Sequence, residues 1–194
     1  MTGRAVFLDR DGVINQKAPE GGYVTRWEDF RVLPGVVEGI VQLNRAGFSV
    51  IVATNQRCVA KGLITEGDLN QLHQRMVEYF AHEGARIDAI YYCPHEIEPP
   101  CPCRKPAPGM LLDAARSHDL DLTASWMIGD SVIDIQAGRN AGCKTVGLVH
   151  KEQAGGDVEW KAAAPGGPDI VAFSVIEAVG KILPAGNSSK ESKE

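Results

Sequence analysis

The sequence predicts an α/β domain built on an open, mostly parallel sheet with helices on both faces. Apolar runs of strand length alternate with segments of helical period along most of the 194 residues. The composition, 44% hydrophobic and 23% charged, is typical of a globular protein rather than a disordered or fibrous one. The apolar runs are shorter than the roughly 18 residues needed to cross a bilayer, so no membrane partner is expected.

Six runs rich in β-branched and other apolar residues predict the strands. In chain order they cover residues 5–8, 48–53, 87–92, 126–128, 145–149 and 170–173. The first two contain no proline, and a segment of helical period lies between them, which is the pattern of a β-α-β unit. Repetition of this pattern predicts parallel strands joined by helices.

Five segments of helical period lie between and after these runs. They cover about residues 36–43, 65–80, 108–115, 132–141 and 175–183. Thr65 and Asp68 give a capping-box signal at the start of the second, and Pro108 suits the first turn of the third. The elements and their short loops fill residues 1–184, so we expect a single domain there without a large insertion, followed by a disordered tail over 185–194.

Charge and cysteine usage narrow the classes of function. The chain has 20 Lys and Arg against 25 Asp and Glu, a net charge of −5, which argues against a nucleic-acid partner. Its first residues lead into a strand rather than a signal peptide, so we expect a cytoplasmic protein. Cysteines number five, and three of them lie within eleven residues beside His95, which favours a metal over disulfides.

Polar side chains follow four of the predicted strands at their carboxyl ends. They are Asp9 and Asp11, then Thr54, then Lys105, and finally Asp130. The carboxyl ends of parallel strands share one edge of a sheet, where ligands bind, so we expect these residues to converge. Strand alternation would direct Asp9 and Asp11, which are two residues apart, to the same side.

Mutual repulsion between these carboxylates predicts a bound cation. Asp134, one helical turn after Asp130, adds a further carboxylate to the same edge. A site of oxygen ligands without thiols suits Mg²⁺, which in turn favours a phosphate ligand. Lys105 and the Thr54 hydroxyl would bind the phosphate oxygens.

Such a site supports covalent phosphoryl transfer. Asp9 would attack phosphorus to form an aspartyl-phosphate. Asp11 would protonate the leaving group and then take a proton from the attacking water. Taken singly, each motif has a simpler explanation, namely a solvated loop, a helix cap or a surface cation. Four polar signals in a consistent order after four strands make coincidence the poorer explanation.

A second metal site is predicted in a proline-rich loop. Its candidate ligands are Cys93, His95, Cys101 and Cys103. Three sulfurs and one imidazole are a donor set for the closed tetrahedral shell of Zn²⁺. The alternative is a set of free thiols. Zinc would order the loop that carries Arg104 and Lys105, so its removal is expected to impair activity without zinc itself being catalytic.

Four segments resemble the ordered motifs of the haloacid-dehalogenase-type phosphatases. They are residues 9–15 (DRDGVIN), 53–56 (ATNQ), 103–106 (CRKP) and 129–134 (GDSVID). The likeness runs from about Val6 to Leu148, which is most of the predicted domain. It implies a Rossmann-like three-layer sandwich without a large cap domain and a small-molecule sugar phosphate as partner. We expect a monomer.

Carried over residue by residue, the resemblance implies that Asp9 is the nucleophile and Asp11 the acid and base. Mg²⁺ would be held by the Asp9 carboxylate, the Asp11 backbone carbonyl and Asp130. The residues that would hold the phosphate are Thr54, Asn55 and Lys105.

Further segments bear on the substrate. Residues 22–24, 92–95 and 103–110 resemble the branch of the family that removes the C7 phosphate of D-glycero-D-manno-heptose 1,7-bisphosphate on the route to ADP- or GDP-heptose. Arg104 would then bind the distal phosphate, for which a planar guanidinium is well suited. At 57–59 (RCV) the chain departs from the small residues usual in the family, so the contribution of this loop to specificity stays open.

Two alternatives stay open on the sequence alone. A histidinol-phosphate phosphatase has similar motifs, and it would need an acidic pocket for the substrate amine, such as Glu20 or Glu96 would provide. A non-catalytic, zinc-stabilised module that binds phosphorylated ends belongs to a different class. The presence of all the candidate catalytic residues argues against the module: they are Asp9, Asp11, Lys105 and Asp130. The net negative charge of the chain also argues against extended contact with nucleic acid.

Overall fold

The computed structural model describes residues 2–149 and 167–183. Within these ranges the fold is a three-layer α/β sandwich around one parallel sheet. The tail predicted over 185–194 lies outside the described residues, and so does residue 184 at the end of the predicted domain.

Six strands form the sheet in the described part of the chain, and every neighbouring pair is parallel. They are β1 (Ala5–Leu8), β2 (Ser49–Asn55), β3 (Ala89–Cys93), β4 (Trp126–Gly129), β5 (Lys144–Leu148) and β6 (Ile170–Ala172). All six lie where the sequence predicts them. The β2 strand extends two residues beyond its predicted end because Thr54 and Asn55 pair with Tyr92 and Cys93 of β3.

Five α-helices cover the sheet in the same part of the chain. They are α1 (Val36–Arg45), α2 (Glu66–His82), α3 (Gly109–His118), α4 (Val132–Ala141) and α5 (Val175–Ile182). The predicted capping box at Thr65 and Asp68 is present at the start of α2. Pro108 is the N-cap of α3 rather than part of its first turn. Among the described helices, none has the length and apolar character that crossing a membrane requires.

The strand order is β3-β2-β1-β4-β5-β6, so the chain proceeds outwards from β1 in both directions. A change of direction of this kind opens a crevice at the carboxyl ends of the central strands. Leu8 of β1 is in register with Val52 of β2 and Ile128 of β4. The residues that follow these positions therefore reach the same edge at nearly the same level.

Both faces of the sheet are buried, as the predicted fold class requires. Val6 and Leu8 face one core, to which α1, α2 and α5 contribute, whereas Ala5 and Phe7 face a second core that includes residues of α3 and α4. All four β1 side chains are fully buried. Burial on both sides fixes the register of β1, and with it the position of the residues that follow Leu8.

The segments that lead from β1 to α1 and from β2 to α2 contain no strand and no helix longer than the three-residue 3₁₀ turn Trp27–Asp29. No large cap domain is therefore inserted at either point, which confirms the expectation.

Candidate active site

Three carboxylates meet at the carboxyl edge of the sheet. Asp9 follows β1, Asp130 follows β4, and Asp134 lies in the first turn of α4. One oxygen from each lies within 4.8 Å of the others. We call this group the carboxylate cluster. It forms because residues far apart in sequence follow adjacent strands.

Lys105 lies against the carboxylate cluster. Its Nζ is 2.9 Å from Asp9 Oδ1 and 2.6 Å from Asp134 Oδ1, and it donates to the backbone carbonyl of Ala53 at 2.8 Å. Lys105 is only 2% exposed. Burial disfavours the ammonium charge, but Asp134 and Asp9 outweigh that effect and raise the pKa of Lys105. The lysine is therefore a fixed positive charge at the sheet edge.

The electrostatics of the carboxylate cluster favour a further cation. Burial raises the pKa of Asp9 to about 6, and although Lys105 opposes this, Asp134 and Asp130 add to it. Lys17, from the loop after β1, reaches Asp130 Oδ2 with its Nζ at 2.6 Å while remaining half exposed. A buried, all-oxygen donor set whose carboxylates repel one another fits Mg²⁺.

Gly12 makes room for this arrangement. Its φ of +94° lies in the region that favours glycine, and a Cβ built there would overlap Asp130 Oδ2 and come within 2.6 Å of Lys17 Cε. Any larger residue at position 12 would obstruct the carboxylate cluster. The glycine of the DRDGVIN segment is thus explained by both backbone conformation and space.

Asp11 is held apart from the carboxylate cluster. Its carboxylate accepts hydrogen bonds from Arg10, Asn15 Nδ2 and Gln56 Nε2 at 2.9 to 3.3 Å. The side chain is 26% exposed, so it remains accessible from the crevice. Strand alternation does not place Asp9 and Asp11 as a pair, because β1 ends at Leu8.

The end of β2 organises the site through three consecutive side chains. Thr54 Oγ1 accepts from Gln56 Nε2 at 3.0 Å, and the same amide group donates to Asp11. Asn55 Nδ2 donates to the Lys105 carbonyl, and Asn55 Oδ1 accepts from the Lys105 N–H, each at 3.1 Å. Asn55 therefore helps to fix the position of Lys105, and phosphate binding by Asn55, which the sequence predicts, stays a prediction.

A second cluster lies in the loop of residues 93–105, here called the cysteine loop. The thiol cluster comprises Cys93, His95, Cys101 and Cys103. Neighbouring sulfur and Nδ1 atoms are 3.3 to 3.6 Å apart. Tetrahedral Zn²⁺ with Zn–S near 2.3 Å and Zn–N near 2.0 Å places its ligand atoms roughly 3.5–3.8 Å apart, so the donor set and its spacing fit zinc.

The thiols influence one another strongly. Burial raises the pKa of Cys103 to about 12, with further contributions from Cys93 and Cys101. At Cys101 the effect of burial is outweighed by hydrogen bonds to Cys103 and Cys93, which lower its pKa to about 7. A bound cation would balance the negative charge of more than one thiolate in this cluster.

The cysteine loop also forms one wall of a cavity of about 470 Å³. The cavity is lined by Arg104 and Lys105, and by the exposed side chains of Ile97 and Ile133. Arg104 donates from Nη1 to the carbonyl of His95 at 3.3 Å, which ties it to the thiol cluster. The guanidinium thus lies beside a space large enough for the distal part of a substrate.

Arg57 and Glu96 form an ion pair across the crevice loops. The sequence left the role of Arg57 open, and it suggested Glu96 as one part of an acidic pocket. Each residue instead neutralises the other, while Glu20 is exposed on the loop after β1. The two remaining cysteines are buried: Cys58 lies near the Gln56 amide, and Cys143 packs in the second core.

Sequence reasoning missed several contributors to the site. The sequence patterns give Gln56 no separate role and do not indicate Arg10 or His73, although all three are buried. The sequence signal that could point to Arg10 is its place between the two aspartates of the DRDGVIN segment. Lys17 carries no comparable signal, because its approach to Asp130 depends on the path of the loop after β1.

Comparisons with known proteins place this chain in a family. The HAD-hydrolase-like family model matches residues 102–178. The D-glycero-beta-D-manno-heptose-1,7-bisphosphate 7-phosphatase of Photorhabdus laumondii is 43% identical over 152 residues, which covers 75% of this chain and 79% of that protein. The D-glycero-alpha-D-manno-heptose-1,7-bisphosphate 7-phosphatase of Campylobacter jejuni is 43% identical over 157 residues, covering 81% and 88%.

A solved structure matches over nearly the whole chain. It is the D,D-heptose 1,7-bisphosphate phosphatase from B. bronchiseptica complexed with magnesium and phosphate, with a TM-score of 0.81, 35% identity, and coverage of 92% of this chain and 97% of that chain. The present chain belongs to the HAD-like phosphatases and is a phosphoric monoester hydrolase. The family resemblance of the sequence is thereby confirmed, and the non-catalytic module is set aside.

Proposed function

We propose that this protein removes the C7 phosphate of D-glycero-D-manno-heptose 1,7-bisphosphate through an aspartyl-phosphate on Asp9, in a route to nucleotide-activated heptose. The observation that carries the proposal is the convergence of Asp9, Lys105 and Asp130 at one sheet edge, with Asp11 two residues after Asp9 and held by its own hydrogen bonds. The relatives described above are named for this substrate, and one was solved with magnesium and phosphate.

In the first step the Asp9 carboxylate attacks phosphorus, and the sugar alkoxide leaves. Lys105, fixed between Asp9 and Asp134, stabilises the charge on the transferring phosphoryl oxygens. Asp11 donates a proton to the departing oxygen. Arg10, Asn15 and Gln56 hold its carboxylate in a defined orientation, so the proton is delivered to one position.

In the second step water attacks the phosphorus of the aspartyl-phosphate, and Asp11, now ionised, takes the proton from that water. Inorganic phosphate leaves, and Asp9 returns as a carboxylate. The Thr54 hydroxyl can donate to a phosphate oxygen, because its oxygen accepts from Gln56 and its proton remains available.

Two metal ions accompany this proposal. Mg²⁺ held by the Asp9 carboxylate, the Asp11 backbone carbonyl and Asp130 would neutralise charge on the phosphate oxygens. Zn²⁺ held by the thiol cluster would order the cysteine loop and with it the two cationic residues that follow Cys103.

The distal phosphate is assigned to Arg104 in the cavity between the cysteine loop and α4. A histidinol-phosphate substrate would need a carboxylate available to its amine. The pairing of Glu96 with Arg57 weighs against that alternative.

The test is a comparison of kcat/KM on purified substrates, because discrimination between substrates is a ratio of these values. Both anomers of heptose 1,7-bisphosphate and histidinol phosphate are assayed with Mg²⁺, with Asp9→Asn as the inactive control. We expect a heptose bisphosphate to exceed histidinol phosphate by about 100-fold or more. A preference for histidinol phosphate, or turnover by the control, would contradict the proposal.

A further inference from the structure

Arg10, between the two aspartates of the first motif, is completely buried. Its guanidinium is 3.1 Å and 2.9 Å from the two Asp11 oxygens through Nη2, and the same nitrogen donates to the Val24 carbonyl at 3.1 Å. Nε also donates to Asp11 Oδ1, at 3.3 Å, and the third nitrogen, Nη1, lies 3.2 Å from Nε2 of His73. Arg10 therefore connects Asp11 to a histidine on α2.

The contact with Arg10 determines the tautomer and the charge of the His73 ring. A guanidinium has only donors, so Nε2 must be the acceptor and the ring proton must be on Nδ1. Burial, followed by the charge of Arg10, lowers the pKa of His73 to about 3, so the ring is neutral at working pH. A neutral acceptor stabilises the buried guanidinium, whereas a protonated ring would repel it.

The histidine is itself held in place. It is 4% exposed, and its ring packs edge-on against Tyr92 of β3 at 5.6 Å between centroids. Tyr92 in turn donates to Glu66 in the first turn of α2 at 3.2 Å. The orientation of the imidazole is thus fixed from both α2 and β3, although neither element supplies one of the proposed catalytic residues.

The three side chains that donate to Asp11 are held in position in different ways. Asn15 lies on the same loop as Asp11, and Gln56 follows β2. Arg10 is a long side chain with several rotatable bonds, so its plane depends on the groups at its far end. His73 Nε2 accepts from Nη1 of Arg10, on the side of the guanidinium away from Asp11. The Val24 carbonyl accepts from Nη2, which also donates to Asp11.

We propose that His73 is a positioning residue for the hydrolysis: it fixes the plane of the Arg10 guanidinium, and Arg10 in turn orients the Asp11 carboxylate for proton transfer. This inference rests on the proposed function, because it assumes that Asp11 is the acid and base. Misplacing Asp11 slows both chemical steps without changing how substrate binds, so kcat should fall while KM changes little.

The experiment compares two substitutions of His73 on the Mg²⁺-loaded enzyme. His73→Leu keeps similar bulk but removes the acceptor, and we expect kcat to fall about 10- to 100-fold with KM changed less than about threefold. His73→Gln retains an acceptor near the position of Nε2 and should recover most of the lost rate. Met76→Ala is the matched control, because Met76 is a buried residue one turn later on the same helix.

The outcomes separate positioning from packing. If His73→Leu, His73→Gln and Met76→Ala lose kcat in proportion to their loss of thermal stability, His73 is only a core residue and the inference is wrong. If Asp9→Asn is inactive while His73→Leu keeps wild-type kcat, the inference fails but the proposed function stands. Turnover by Asp9→Asn would instead remove the proposed function itself.

A second measurement needs no substitution. The ¹⁵N chemical shifts of His73 in the intact protein report which ring nitrogen carries the proton. We expect the neutral form with the proton on Nδ1 between about pH 6 and pH 8. A proton on Nε2, or titration within that range, would overturn the inference even if His73→Leu did not fold.

Discussion

The carboxylate cluster and the thiol cluster are both candidate metal sites, but they are assembled in opposite ways. Asp9 lies far from Asp130 and Asp134 in the sequence, and the three meet because β1 and β4 are neighbours in the sheet. The thiol cluster comes from eleven consecutive residues of one loop. The first depends on the order of the strands, whereas we expect the second to depend mainly on a bound metal ion.

This difference has a chemical counterpart. The carboxylate cluster has hard oxygen ligands and a neighbouring lysine, which suits Mg²⁺ and a phosphate. The thiol cluster has soft ligands enough to close a tetrahedral shell, as a structural zinc site requires. The link between them is short, because Lys105 follows Cys103 by two residues.

The largest effect is expected at the carboxylate cluster. Asp9→Asn keeps the shape of the side chain but removes the charged nucleophile, so kcat should fall at least about 10⁴-fold. Circular dichroism and thermal unfolding should show an intact fold. Retention of substantial turnover would take the nucleophile role away from Asp9.

The second prediction concerns the lysine that connects the clusters. Lys105→Met leaves Asp9 and Asp134 buried without their cation, which should cost about 3–5 kcal/mol of unfolding free energy in metal-free protein. Loss of the charge at the phosphate should lower kcat by about 10² to 10³-fold. Urea unfolding and steady-state kinetics measure the two effects. Lys144→Met, at an exposed lysine, is the control, and an equal loss there would contradict the assignment.

The third prediction separates the clusters. Cys101→Ala should abolish zinc binding and lower kcat by about 10- to 100-fold, because the cysteine loop no longer holds Lys105 and Arg104 over the crevice. Zinc content by mass spectrometry and turnover are measured on the same sample. Cys143→Ala is the control, since Cys143 lies outside the thiol cluster. Full activity without zinc would show that the loop is ordered by protein contacts alone.

The fourth prediction uses the raised pKa of Asp9, about 6 against an ordinary 3.8. In metal-free protein the folded state retains a proton that the unfolded chain releases, so stability should fall as pH rises from about 4 through 6. The same proton competes with Mg²⁺, whose affinity should fall about tenfold per pH unit well below pH 6. Calorimetric titration with Mg²⁺ at several pH values checks the affinity. Asp9→Asn should remove the pH dependence of stability. A wild-type Mg²⁺ affinity that does not change with pH would contradict the raised pKa of Asp9.

The smallest effect is expected at the ion pair between the crevice loops. Arg57 and Glu96 are both partly exposed, and such pairs contribute little in water. Arg57→Ala and Glu96→Gln should each change kcat/KM less than about threefold, with zinc content unchanged. A large rise in KM for the heptose bisphosphate in Arg57→Ala alone would mean that Arg57 leaves Glu96 to bind substrate.

Sequence reasoning reached the fold because every strand is a compact apolar run and α2 begins with the predicted capping box. It also placed Asp9, Lys105 and Asp130 at one edge, since the order of parallel strands brings their carboxyl ends together. The thiol cluster was predictable from local spacing alone.

The side-chain partners could not be predicted in the same way. Asn55 binding the Lys105 backbone, and Lys17 reaching Asp130, depend on loop paths that no periodicity encodes. The orientation of Asp11 depends on the end of β1 and on a buried arginine. The sequence pattern therefore predicts which strand ends come together, whereas the loop paths and side-chain packing determine the individual contacts and orientations.

The most direct test of the account is a search for the covalent intermediate. The enzyme is mixed with heptose 1,7-bisphosphate and Mg²⁺, quenched with acid within a single turnover, digested and analysed by mass spectrometry. The account predicts one phosphoryl group on the peptide that contains Asp9, formed and lost at rates compatible with kcat, and absent from Asp9→Asn. Phosphate release at full rate with no phosphoryl group on the protein, or with the group on another residue, would contradict it.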